Sequence, residues 1–194
     1  MFKKIIILSM LIFSFGIKAE IVDSGTLIQD TDQGLDWLKL TETQGLTFEY
    51  ISSQLGPGGE FEGWTYATGA QFEGLMLETG AEAMNSCFNL QFCGAQDSSL
   101  VQTIGAILGE TGAGYTLGIL ADNSELMPDM HWVALVTSVV LPLHSEAGIY
   151  TYSHQQQISV TDPEVGSFLV RPSEVPIPQA GILFMSSITG LFFA

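Results

Sequence analysis

The segment Asp30-x-Asp32-x-Gly34-x-Asp36 sets three carboxylates at alternate positions around a glycine. Calcium takes six to eight oxygen ligands from such spacings, and this stretch resembles half of a calcium loop. A full loop also needs a bidentate Glu further on, and Glu42 is out of register for it. The same residue types serve a hairpin turn, where Asp and Gly satisfy turn geometry. The turn is one reading; a calcium site on Asp30, Asp32 and Asp36 is the other. The histidines, His131, His144 and His154, have no second ligand at helical spacing, so the sequence offers no zinc motif. There is no G-x-S-x-G elbow and no Cys–His signature for a nucleophile. The glycine-rich GETGAGYTLG lacks the Lys-Ser/Thr of a phosphate loop. Trp37, Trp64 and Trp132 are residues that stack on sugars, or that simply pack a core. No catalytic residue is assigned. A hydrolase with an unrecognised site remains one alternative.

The elements that would position these side chains are readable from periodicity. Alternation on both sides of the Asp30 segment predicts a hairpin with strands at 26–29 and 35–38. Phe48, Ile51 and Leu55 have helical spacing behind Thr47, a plausible N-cap. WTYAT reads as a short strand. Thr68 and Gln71 form a capping box ahead of a helix with Phe72, Leu75 and Met76 on one face. Leu100, Val101, Ile104 and Leu108 make the stripe of a third helix opening at Ser98 or Ser99. The second half carries strands in YTLGIL, HWVALVTSVV, IYTYSHQ and GSFLVR. This order predicts a single α+β domain: a mixed or antiparallel sheet with two to three flanking helices.

Both ends of the chain read as addresses. Lys3 and Lys4 precede an apolar run at 5–17, and Ala19 follows. That is a secretory signal peptide, with cleavage expected after Ala19 by signal peptidase. The run is too short for a membrane span of ~20 residues. The whole chain has five basic and 21 acidic residues, a net charge of −16. Removal of 1–19 takes Lys3, Lys4 and Lys18 and leaves two cations against the same 21 acids, a net charge of −19. Such a surface repels nucleic acid and anionic lipid. Beyond the inner membrane the compartment is oxidising, so Cys87 and Cys93 are expected to form a disulfide. A loop this small gives ~2–3 kcal/mol of stabilisation. A zinc or redox pair is the alternative, though the spacing is not C-x-x-C. The expected organisation is a signal peptide at 1–19, a globular domain at 20–172, a proline-rich linker at 173–179 and an apolar segment at 180–194.

The tail Val175-Pro176-Ile177-Pro178, followed by that apolar run, resembles the PEP-CTERM sorting signals in their V-P-x-P variant. The resemblance implies cleavage by an exosortase, a membrane-embedded cysteine protease. It also implies a transient membrane-anchored precursor and delivery to the cell surface or the extracellular, exopolysaccharide-associated matrix. The family's terminal Arg/Lys cluster is absent here. An ordinary C-terminal core element is the competing reading of the run. Within the domain, DQGLDWLKL, FEGWTYATGAQFEGLM and SFLVRP resemble segments of bacterial surface proteins with C-type-lectin-like domains. Thr65 stands where those proteins usually have Arg, and Phe72 where they often have Glu. The resemblance implies a lectin-like fold with strands near 26–29 and 167–171 side by side, and helices at 47–55 and 69–78 flanking a sheet built from both halves. It implies a non-enzymatic exported protein, or a module binding a glycan or a protein. No cofactor other than calcium is expected.

Overall fold

The computed structural model describes residues 21–81, 96–124, 127–138 and 147–174. Nine strands and three α-helices occur among them: β1 (Ile21–Asp23), β2 (Leu27–Asp30), β3 (Leu35–Leu38), α1 (Phe48–Gln54), β4 (Thr65–Tyr66), α2 (Gly69–Glu78), α3 (Ser98–Leu108), β5 (Tyr115–Ser124), β6 (Met127–Thr137), β7 (Gly148–Gln157), β8 (Gly166–Ser167) and β9 (Leu169–Pro172). The class is α+β as expected, but the strands form two sheets rather than one. The first is antiparallel, in the order β1-β2-β3-β9-β4. The second is mixed, in the order β7-β6-β5-β8, because β8 runs parallel to β5. Among the described residues no helix is long and apolar enough to cross a membrane.

Local chemistry sets the helix starts. Thr47 caps α1, its hydroxyl accepting from Tyr50 N at 3.0 Å. Both halves of the Thr68–Gln71 capping box are made: Gln71 N donates to Thr68 Oγ1 at 3.2 Å, and Thr68 N donates to Gln71 Oε1 at 2.9 Å. Helix α3 opens at Ser98, one of the two expected positions, and its cap is Asp97. That carboxylate accepts from Ser99 N at 2.9 Å and Leu100 N at 3.2 Å. A carboxylate satisfies two of the free N–H groups that a serine hydroxyl would satisfy singly, and it complements the helix dipole.

The run GSFLVR divides at Phe168. Its first part, β8, joins the second sheet and its second part, β9, joins the first. Phe168 itself bridges them: its N–H donates to Ile119 O at 3.0 Å, and its carbonyl accepts from Ala67 N at 2.8 Å. Its ring lies edge-on to Trp37 and tilted against Phe72, with centroids 6.2 and 5.1 Å away. The Thr43 hydroxyl holds the crossing from below, accepting from Ser167 N at 2.8 Å.

The main core fills the space between the sheets. Ile28, Trp37 and Val170 come from the first sheet; Leu120, Ala134, Val136 and Ile149 come from the second; Phe72, Leu75 and Met76 of α2, and Val101, Ile104 and Leu108 of α3, close it. Phe72 is fully buried there. The side chain standing where the lectin-like proteins carry Glu is thus a core residue in this chain. Helix α1 packs Ile51 on the far face of the first sheet, with Phe61, Trp64 and Leu169.

Strand β9 pairs with β3 and β4, not with β2. The expected side-by-side pairing of 26–29 with 167–171 is therefore corrected: both belong to one sheet, with β3 between them. The physical reason is charge and register. Asp36 of β3 lies opposite Arg171 of β9, and Arg171 Nε donates to Asp36 Oδ2 at 3.3 Å. The guanidinium also lies over the Trp64 ring, 4.6 Å from its centroid. Removal of the guanidinium would leave Asp36 buried without its counter-charge. We expect Arg171→Ala to destabilise the fold by roughly 2–3 kcal/mol in urea unfolding, below the ~3–5 kcal/mol of a fully buried pair. The discount follows from an arginine side chain that is 32% exposed. Asp36→Asn in that background should recover part of the loss; a loss below about 0.5 kcal/mol for Arg171→Ala would show the clasp to be inert.

Candidate functional site

Of the residues singled out in the sequence, Cys87, Cys93, His144 and Val175-Pro176-Ile177-Pro178 lie outside the described residues. The others can be placed. Asp30 ends β2, Asp32 sits exposed in the connecting turn, and Asp36 lies in β3. Asp30 is buried and accepts two hydrogen bonds from Gln33, from the backbone N at 2.8 Å and from Nε2 at 2.7 Å. Gly34 closes the turn with φ +65°, a conformation that favours glycine. These are the hydrogen bonds and backbone geometry of a turn. In the pleat, Asp36 lies across from Gln29 rather than from Asp30, so Asp30 and Asp36 occupy opposite faces of the hairpin. Among the described residues no three His, Cys, Asp or Glu side chains converge as a metal site.

His131 is buried on the far face of the second sheet. Its ring stacks on Phe48 with centroids 3.7 Å apart, and Nδ1 lies 3.1 Å from Leu120 O. Burial lowers its pKa, opposed by hydrogen bonds to Leu120 and Ala121. Trp37 and Trp64 are core residues. Trp132 differs: it is half-buried.

Trp132 belongs to a group that sequence reasoning did not assemble. On β6 its side chain shares a face with Ala134 and Val136, the face that α2 and α3 cover. Tyr152 of β7 stands beside it, ring centroids 5.4 Å apart and tilted by 60°. Both rings are half-buried. Two carboxylates lie near Tyr152: Asp122 of β5 bonds its hydroxyl, and Glu73 of α2 bonds the adjacent Thr151. Asp122 accepts from Gly69 N, at the start of α2, at 2.6 Å and from the Tyr152 hydroxyl at 3.4 Å. Glu73 accepts from the Thr151 hydroxyl at 2.9 Å. Burial, then the charges of Asp122 and Glu73, push the Tyr152 hydroxyl up to about 12. It therefore stays a donor at any physiological pH. Gly69 is required by close approach, since a β-carbon there would collide with the Tyr152 hydroxyl.

No family model, curated protein or solved structure matches this chain. The chemistry of the aromatic and carboxylate groups is then the guide to function. Half-buried rings flanked by fixed acceptors suit a polar ligand with an apolar or cationic surface. The signal in the sequence was weak but present: Tyr152 and Trp132 lie on strands adjacent in sequence, and Asp122 closes the apolar part of the strand before them.

A second acidic pair lies at the other end of α2. Glu78 is the last residue of the helix, and its buried Oε2 has no hydrogen-bond partner. Gln33 links Asp30 to the first turn of the same helix, because its Nε2 also donates to Gln71 O at 3.0 Å. Burial first, then the neighbouring Asp30 and Asp32 carboxylates, push the Glu78 carboxyl up to about 8. Glu78 thus carries a proton at neutral pH, which spares the pair like-charge repulsion. A carboxyl whose pKa is raised on folding stabilises the fold at low pH. That contribution is complete below the unfolded value of 4.5 and is lost progressively as pH rises through about 8. We expect the urea midpoint of the wild-type chain to fall across this window, and Glu78→Gln to flatten the fall. Parallel pH profiles for the two proteins would exclude a raised Glu78 carboxyl.

Proposed function

We propose that this chain is a non-enzymatic exported protein, processed at both ends and destined for the cell surface or extracellular matrix. The observation that carries the reading is the pair of end motifs: Lys3, Lys4, the apolar run at 5–17 and Ala19 at one end, and Val175-Pro176-Ile177-Pro178 ahead of an apolar run at the other. Charge supports the same reading. Lys39 and Arg171, the two basic residues left after loss of the signal peptide, are both committed within the fold, to Asp23 at 2.8 Å and to Asp36 at 3.3 Å. The surface is left polyanionic, suited to a soluble protein in an exopolysaccharide-rich setting and unsuited to nucleic acid. The processing partners are signal peptidase and an exosortase-type protease, the latter acting on a transient membrane-anchored precursor through the 180–194 segment.

A binding module on a C-type-lectin-like scaffold is the second reading. The N-terminal hairpin and closing strand share one sheet, and helices lie beside it. The half-exposed Trp132–Tyr152 pair is the specific observation in its favour.

Intact mass of the protein recovered from its host, with and without reductant, tests the processing. The expected species starts at Glu20, ends near Val175-Pro176-Ile177-Pro178 and gains two hydrogens on reduction through Cys87 and Cys93. A mature species that retains Ala194 would overturn the sorting reading.

A further inference from the structure

Asp122 and Glu73 are the unusual part of the Trp132–Tyr152 group. They lie near one tyrosine, on two elements, and their hydrogen-bond partners are all neutral: a backbone amide, a phenol and a threonine hydroxyl. Neither cation among the described residues is near; Lys39 and Arg171 are held by Asp23 and Asp36. Two carboxylates therefore stand near the aromatic pair with no ion-pair partner among the described residues. In most folds such a pair recruits an Arg or Lys, as Asp36 does here, because each uncompensated acceptor costs stability. The geometry also holds the group rigid. Asp122 is fixed by the first amide of α2, and Gly69 gives Tyr152 the room it occupies.

An occupant can be chosen by charge. Anionic sugars are repelled by a chain of net charge −16. Neutral sugars would stack on the rings and donate hydroxyl hydrogen bonds to the carboxylates, but would leave both charges uncompensated. A protonated amine compensates them and uses the rings too, through cation–π attraction to Trp and Tyr faces and charge-assisted hydrogen bonds to Asp and Glu. Sugar rings add C–H surface that stacks on tryptophan.

We propose that Trp132, Tyr152, Asp122 and Glu73 form a binding site for amino sugars carrying a free ammonium, as in a partly deacetylated polysaccharide. The proposal rests on the binding-module reading and narrows it to one ligand class.

The test is a fluorescence titration of the full exported chain at pH 6, where sugar amines are protonated. The probes are glucosamine oligomers, N-acetylglucosamine oligomers of equal length and neutral glucan oligomers. Trp37 and Trp64 are buried, so a change in emission reports on Trp132. Saturable binding of the glucosamine oligomers is expected, weaker by at least ~tenfold for the acetylated form and falling with added salt. Glu73→Gln should weaken binding by roughly tenfold while leaving the Gly69–Asp122 contact in place, and Trp132→Phe should weaken it with the fold retained. Glu73→Gln removes one of 21 acidic residues, so binding it leaves unchanged would be non-specific attraction to a polyanion and would overturn the site. Equal affinity for amine and N-acetyl oligomers would overturn the ammonium inference and leave a glycan-binding module standing. Failure of all three probes to bind would overturn the proposal and the glycan-binding reading together.

Discussion

Two sheets belong to one molecule because the backbone changes sheet at Phe168. One peptide unit on either side of that residue satisfies a different partner, Ile119 in the second sheet and Ala67 beside the first. The ring is then driven between Trp37 and Phe72, where apolar burial and edge-on aromatic contact fix its direction. With Phe168 placed, β9 has no freedom of register. Arg171 must meet Asp36, Val170 must meet Trp37, and the main core is closed on the side of the first sheet. The other contacts of that sheet, including the α1 packing on its outer face, follow from this insertion.

The same arrangement explains why one face of the second sheet is incompletely covered. Helices α2 and α3 cover Ala134, Val136 and Ile149, but α2 begins only at Gly69, and near that start the face holds half-buried rings. Trp132 and Tyr152 lie there. The capping box at Thr68 thus does more than satisfy free amides, since it decides where the cover stops. Asp122 meets the next amide, so the helix start and the acidic part of the aromatic group are one construction.

Much of the local structure was legible in the residues. Both helix-capping threonines, the stripe of α3 and the β2–β3 hairpin follow from spacing alone, because the forces that set them act within four or five residues. What could not be read was tertiary in origin. GSFLVR contains no breaker at Phe168, so nothing local announces that β8 and β9 part there; the division exists because two sheets compete for the same strand. Asp36 sat in an acidic pattern around a turn, and the two-residue pleat turned it away from Asp30 and toward an arginine 135 positions later. Glu78 carried no signal at all, since its neighbours are chosen by where the end of α2 docks. The three tryptophans were indistinguishable in sequence because their exposure is set by the extent of helix cover. Val175-Pro176-Ile177-Pro178 and the pair Cys87 and Cys93 stand out in the sequence, and they lie outside the described residues.

Strand β9 is the last strand among the described residues but an interior strand of its sheet, so that sheet cannot be completed in chain order. A polypeptide delivered N-terminus first presents β1, β2 and β3 early, as three short strands whose apolar face has nothing to lie against, and such a meander is marginal in water. Its interior partner arrives only after nearly the whole domain has emerged, and loop closure over that interval must come before any reward from pairing. The first sheet is therefore completed only when β9 has been delivered. For a chain exported as proposed, that places closure of the sheet on the far side of the translocation channel.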